Sequence, residues 1–342
     1  MIRILVLCER IQATQLIAFD FNQSLLHYDK RIDFQICSGS DIKRLDYSGR
    51  RNLLLDCDFL ILSRWYFSDI VFDLINEARR LGKKTFLQLD DFLFSVPKSI
   101  GREKWHFYTS KNVIDQLYSI VSLSDGIITS TSYLAAEIKR LLPTTHVFPC
   151  PYWKHFDPVY SFSSTLYQRP YPVIGYMGTQ THVEDLELVI SEVDYLMSIY
   201  PSLNFETFGI KMPENFLSKY PGRCSTVAKV HNYDEFQSVL SGLGWWVGLA
   251  PLTENQFNYC KSNTKFVEYI QAGIPVIASN YGPYDDIPRF SNSPHSKTWV
   301  EQIEIALLSN RQRNCLYKKQ LEYCFQFTDA NLLTEFYRGL AT

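Results

Sequence analysis

The chain lacks the features that mark several large classes of protein. Its 342 residues carry 34 Lys+Arg against 36 Asp+Glu, a formal net charge of −2. No overall positive field draws it to nucleic acid, so no nucleic-acid partner is expected. No apolar run approaches the length of a membrane span. The apolar start, MIRILVLCER, is too short for the core of a signal peptide plus a cleavage site. The 8 cysteines show no C-x-x-C and no paired spacing, and several lie in strand-like runs such as ILVLC around Cys8. They read as reduced, buried thiols of a cytoplasmic protein, not as disulfides or zinc ligands. No G-x-G-x-x-G occupies a strand-to-helix turn, which disfavours hydride transfer with a dinucleotide. No internal repeat is visible.

What is present is a folded α/β pattern. Hydrophobic residues make up 46% and charged residues 20%, in the range of globular domains, and the length suffices for two of them. In the first half, apolar runs predict strands at Ile2–Cys8, Asp33–Cys37, Phe59–Ser63, Lys84–Leu89, Ile127–Ser130 and His146–Pro149. Amphipathic helices are expected at Ala13–His27, Asp69–Leu81, Asn112–Ser124 and Ser132–Leu142. A stretch rich in Ser, Tyr and Pro, Asp157–Pro172, reads as an interdomain linker. A second alternation follows: strands Val173–Tyr176, Asn204–Phe208 and Trp245–Ala250, with helices Val183–Tyr200, Asp234–Leu243, Ser296–Leu308 and Arg311–Phe325. Strands alternating with helices imply parallel, doubly wound sheets. The expected division is 1–160 and 161–326, two Rossmann-like domains, with 327–342 holding a terminal helix that returns to the first. The basic pairs Lys43–Arg44, Arg50–Arg51, Arg79–Arg80 and Lys83–Lys84 read as solvated helix ends; contact with anionic lipid or an anionic acceptor is the other reading.

The most informative stretch is FNYCKSNTKFVEYIQAGIPVIAS, Phe257 to Ser279. A polar loop leads to Lys261, Ser262 and Asn263, where a helix should begin, continuing through Thr264 and Lys265. Phe266, Val267, Tyr269 and Ile270 give that helix an apolar face. Gly273 caps it, and Val276–Ala278 forms a buried strand. Free amides, a lysine and hydroxyls at a helix N-terminus suit a phosphate. Glu268 sits one turn in; its bland reading is an exposed helix carboxylate. A second candidate is Asp90–Asp91 at the end of a parallel strand, where ligands gather in such sheets and where either acid could act as a base. A plain strand-end turn is the alternative.

The segments IGYMGTQTHVEDLELV (174–189) and GLAPLTENQFNYCKSNTKFVEYIQAGIPVIAS (248–279), with weaker likeness at 78–94 and 123–138, resemble the retaining glycosyltransferases of family 4, of the bacterial surface-polysaccharide type. The resemblance implies a GT-B fold and sugar transfer from a nucleotide-sugar donor to a glycan or lipid-linked acceptor, without a cofactor or metal. It further implies a cytoplasmic enzyme, with peripheral contact at the inner face of the membrane left open. It places Gly178 and Thr179 at the donor diphosphate, opposite Lys261 and the helix start Ser262–Lys265, and Glu268 at the ribose. Tyr233 falls where the family frames the nucleobase, and Asp90 near the reacting carbon. His182 is either a phosphate ligand or a neighbour of the helix cap. Cys260 stands where the family's first glutamate would grip the donor sugar, and the usual Arg and Lys after the first turn are replaced by Thr179, Gln180 and His182. Adjacent acids such as Asp90–Asp91 also suit a GT-A metal site, a reading disfavoured by the doubled α/β pattern. Trp65–Tyr66–Phe67, Trp105–Tyr108 and Tyr152–Trp153 are loop aromatics able to stack on sugar rings or to pack internally. An epimerase of the same fold and a degenerate, non-catalytic binding domain remain the alternatives.

Overall fold

The structure is a computed structural model, described here for residues 1–20, 31–150, 169–290, 298–326 and 329–342. Its strands are β1 (Ile2–Cys8), β2 (Ile32–Ser38), β3 (Phe59–Ser63), β4 (Lys84–Leu89), β5 (Gly126–Thr129), β6 (Val147–Pro149), β7 (Val173–Met177), β8 (Asn204–Phe208), β9 (Cys224–Val227), β10 (Val247–Ala250) and β11 (Val276–Ala278). They form two sheets, ordered β2-β1-β3-β4-β5-β6 and β11-β10-β7-β8-β9. Every pairing is parallel. Strand order reverses between β1 and β3 in the first sheet and between β7 and β10 in the second. Crevices at such reversals, outside the carboxyl ends of the strands, are where ligands bind in open α/β sheets.

The strand period of two sorts the core into layers. In the first sheet Leu5, Leu7, Leu60 and Leu62 face the helices Asp69–Arg80 and Lys111–Leu123 through Leu74, Ile75, Leu117 and Ile120. Their neighbours Ile4, Val6, Phe59 and Ile61 face the other way, onto Leu333, Tyr337 and Leu340 of the terminal helix Ala330–Ala341. The terminal helix therefore returns to the first domain, its Tyr337 ring 5.1 Å from that of Phe34. In the second sheet Val173, Met177 and Ala250 pack on Phe266, Tyr269 and Ile270 of the helix Thr264–Gln271. Ile174, Tyr176 and Leu249 pack on Leu186, Val189 and Val193 of the helix Val183–Ile199.

One helix end follows the expected chemistry. Gly273, at φ 79°, closes the helix Thr264–Gln271: its amide reaches Ile270 O at 3.0 Å and that of Ile274 reaches Tyr269 O at 2.9 Å. This paired bonding needs a left-handed residue, hence glycine. Across the domain boundary, Phe257 and Cys260 sink into the first domain's core. Thr131 Oγ1 donates to Cys260 O at 3.0 Å, and the Tyr133 and Tyr259 rings lie 4.6 Å apart.

Several elements differ from the sequence expectation. The first expected helix is a short turn, Ala13–Gln15, followed by a π-helical turn, Leu16–Asp20; its remainder lies outside the described residues. So do most of the linker, the boundary at 160/161, Tyr152–Trp153 and the expected helix start at Ser296. Helices at Gly39–Arg44, Tyr47–Asp56, Arg102–Thr109 and Glu214–Lys219, and strand β9, were not expected. Arg102–Thr109 buries no residue, so it has no apolar face to betray it, and Tyr47–Asp56 buries only Leu54. Strand β9 is a half-exposed sheet edge. Trp65 and Tyr66 are each 1% exposed in the core, so they pack rather than stack on a ligand; Phe67 and Tyr108 reach the cleft. Trp105–Tyr108 is helical, not a loop.

Candidate active site

A cleft of about 700 Å³ opens between the two sheets, at the carboxyl ends of the strands. Arg64, Asp90 and Asp91 line it from the first domain; Gly178, Thr179, His182, Lys261, Ser262, Thr264, Lys265 and Glu268 line it from the second. The topology thus brings nearly all the sequence-derived candidates to one cavity.

The second-domain wall is built for an anion. The helix Thr264–Gln271 starts without a capping bond from the side chain of Asn263, so its first amides have no intrahelical acceptor. Ser262 and Thr264 hydroxyls meet at 2.7 Å beside them. Lys261 and Lys265 are half-buried in the same wall. Neither forms a salt bridge among the described residues. Burial lowers both amines, Lys265 to about 8, despite attraction from Asp185. Lys265 Nζ is 3.4 Å from the Tyr176 hydroxyl and 4.6 Å from its ring centre. Two poorly solvated cations beside a helix N-terminus carrying about half a positive charge favour a polyanion in the space between.

Opposite them, backbone comes close. Gly178 follows β7 and donates to Phe208 O at 3.0 Å. Gly209 follows β8 at φ +78°, and a Cβ there would stand 2.6 Å from Gly178 O. A side chain is therefore excluded from the floor of the turn. Thr179 and Thr181 hydroxyls meet at 2.8 Å.

His182 belongs to the support of this turn. Burial lowers its pKa to about 4, so the ring is neutral at physiological pH. Burial also pushes Asp185 upward, but bonds from His182 and the Thr253 amide outweigh it and hold that carboxyl at about 2. With Asp185 ionised, His182 Nδ1–H donates to it at 2.8 Å. Asp185 also accepts from Thr253 N at 2.8 Å and Oγ1 at 2.9 Å. His182 therefore brings no cation, and Asp185 ties the first turn to the loop after β10. Asp185 was not singled out from the sequence; its signal is the His-x-x-Asp spacing in THVED, one helical turn apart.

Glu268 is 9% exposed, not the exposed carboxylate of the bland reading. Tyr233 OH donates to its Oε1 at 2.9 Å. Tyr233, also 9% exposed, stands behind Glu268, while Lys229, Val230 and Phe236 reach the cleft nearby. Asn263 is the N-cap of the helix and does not line the cleft. Cys260 is fully buried in the interdomain core, its thiol pushed up to about 12 by burial, and does not line the cleft.

On the first-domain wall, Arg64 Nη1 lies 2.6 Å from Asp90 Oδ1 and 3.0 Å from Asp91 Oδ2. Thr14 Oγ1 donates to Asp90 Oδ2 at 2.9 Å. Burial raises the Asp90 pKa against the lowering effect of Arg64. Arg64 has φ 53°, a left-handed conformation costing a non-glycine residue about 1 kcal/mol. Its amide is held by Gln88 O at 3.0 Å. Thr14 carried no sequence signal, because its partner lies 76 positions away. Among the described residues no three His, Cys, Asp or Glu side chains group as metal ligands.

No protein-family model and no curated protein sequence matches the chain. Solved structures do. An α-glucosyltransferase solved with UDP and a 13-mer DNA is 12% identical, with a TM-score of 0.59 over 100% of both chains. WaaG, a glycosyltransferase involved in lipopolysaccharide biosynthesis, is 10% identical, with a TM-score of 0.57 over 100% of both. S. aureus TarM, solved with UDP, is 11% identical, with a TM-score of 0.58 over 86% of this chain, which spans only 58% of TarM. The chain therefore has the GT-B fold: two Rossmann-like domains and a C-terminal helix returning to the first.

Proposed function

We propose that the protein is a glycosyltransferase that moves a sugar from a nucleoside diphosphate sugar to a glycan or lipid-linked acceptor. The observation that carries this reading is the anion-binding wall: Lys261, Lys265 and the uncapped start of Thr264–Gln271 facing the Gly178 turn. A diphosphate seated there would put the ribose toward Glu268 and the transferred sugar toward Asp90 and Asp91. As the glycosidic bond to the donor breaks, negative charge grows on the diphosphate, and fixed cations and amides stabilise that charge without reorganising. TarM and the α-glucosyltransferase, both solved with UDP, support the reading by fold.

Retention of configuration is part of the proposal. Both Asp90 oxygens are engaged, by Arg64 and by Thr14, an arrangement better suited to holding a hydroxyl than to removing its proton. No metal or cofactor is invoked. The acceptor class fits a role in surface polysaccharide or glycoconjugate synthesis at the cytoplasmic side of a membrane. A second reading, a nucleotide-binding domain without turnover, is favoured by one observation: the buried thiol of Cys260 where the resembled family carries a sugar-gripping carboxylate.

Incubation with a panel of nucleotide sugars and glycan or lipid-linked acceptors tests the proposal. Release of nucleoside diphosphate with a product of retained anomeric configuration is expected. Nucleotide binding without release on any acceptor would favour the second reading, and no nucleotide binding at all would sink both.

A further inference from the structure

We propose that Tyr233 is a positioning residue whose hydroxyl orients the Glu268 carboxylate toward the ribose of the bound nucleotide. The inference rests on the donor site described above and assigns Tyr233 a role other than the nucleobase contact that the family resemblance implies. Its geometry is directional. Gln237 Nε2 donates to Tyr233 OH at 3.2 Å, from one turn further along the helix Tyr233–Gly242. With that lone pair taken, the phenolic proton points to Glu268 Oε1 at 2.9 Å. Burial and the Glu268 carboxylate push the phenol far above its usual range, so the proton stays on Tyr233.

Both ends of the link are anchored. Asn232 caps the Tyr233 helix by accepting from Glu235 N at 3.0 Å, and the Tyr233 ring lies 5.8 Å from that of Phe236. On the other helix Tyr269, next to Glu268, accepts from Met177 N at 2.7 Å and donates to Leu249 O at 3.2 Å. A carboxylate held by a buried donor between two pinned helices has its plane fixed before the ligand arrives. Ribose hydroxyls then meet an acceptor that needs no reordering, which is how preorganised groups gain affinity.

The test is calorimetric titration with uridine, adenosine and guanosine diphosphates and their 2′,3′-dideoxy counterparts. Tyr233→Phe keeps the ring and removes only the hydroxyl. It should weaken the preferred ribonucleotide about tenfold, the scale of one hydrogen bond to a charged group, and leave its dideoxy counterpart unchanged. In a Glu268→Ala background, which removes the acceptor, the same substitution should add little. Equal weakening of both nucleotides, or no weakening of either, overturns the positioning role while leaving the proposed function standing. Wild-type protein that binds no nucleoside diphosphate overturns both. Gln237→Leu, which releases the hydroxyl's direction but keeps its ring packing, should lower ribose discrimination too, and serves if Tyr233→Phe does not fold; unchanged discrimination there also overturns the inference.

Discussion

Arg64 donates to Asp90 across 2.6 Å at the end of the first domain's reversal strand, from a left-handed backbone conformation. The same guanidinium reaches Asp91 at 3.0 Å. Removing it strands a buried acid beside another acid. Arg64→Met is expected to lower sugar transfer about a hundredfold, as loss of a preorganised electrostatic group does, and to leave nucleotide affinity nearly unchanged, because that site lies on the other wall. Steady-state transfer rates and calorimetric titration of the same variant check the split.

Lys265 makes donor binding depend on pH. Burial brings its amine down to about 8, below its ordinary 10.5, so it loses charge as pH rises through that value. Diphosphate affinity should therefore fall above about pH 8. Lys265→Arg, which stays protonated, should remove the inflection. The linked effect on stability has the opposite sense: between about 8 and 10.5 the unfolded chain binds more protons, so this lysine's penalty on the fold is full below about 8 and relieved as pH rises. Dissociation constants and denaturant midpoints between pH 7 and pH 10 test both statements.

The His182–Asp185 pair should shape the acid limb of stability. His182 drops from 6.5 to about 4 on folding, so protonation favours the unfolded chain progressively as pH falls through that window. Asp185 drops from 3.8 to about 2, so its stabilisation, about 2 kcal/mol on linkage grounds, is present above 3.8 and is lost as pH falls through about 2. His182→Gln should flatten the upper window. Asp185→Asn should lower stability at neutral pH and flatten the lower one. Urea melts across about pH 1.5 to 7 read both.

Cys260 is a packing residue in this account. Cys260→Ala is expected to cost about 1 kcal/mol as a small cavity. Cys260→Glu should cost several kcal/mol, because it buries an unpaired carboxylate among Phe257 and the first-domain core. Thermal melts of the two variants measure the difference. A Cys260→Glu protein as stable as wild type, with stronger donor binding, would show that the position reaches the sugar.

The fold was legible where chemistry was local. The Phe59–Ser63 and Lys84–Leu89 strands, the Gly273 helix stop and the strand Val276–Ala278 all coincide with the structure, because apolar runs and left-handed glycine carry their own signal. Exposed elements such as Arg102–Thr109 did not announce themselves, having no buried face. At the site, Lys261, Lys265 and Glu268 could be picked out because they cluster around one helix start. Pairings across the chain could not: Thr14 with Asp90 and Tyr233 with Glu268 join residues that only the topology brings together. Cys260 reads as a buried thiol from the sequence, but its docking into the other domain's core was equally hidden.

The central claim is that the Lys261–Lys265 wall seats a nucleoside diphosphate. Calorimetric titration of the wild-type chain and of a Lys261→Ala/Lys265→Ala variant with uridine, adenosine and guanosine diphosphates tests it most directly. The account predicts saturable binding of at least one of them by the wild type, and binding at least about a hundredfold weaker by the variant, on the scale of charge-assisted hydrogen bonds from two cations. No binding by the wild type at millimolar nucleotide, or equal affinity in the variant, would contradict it.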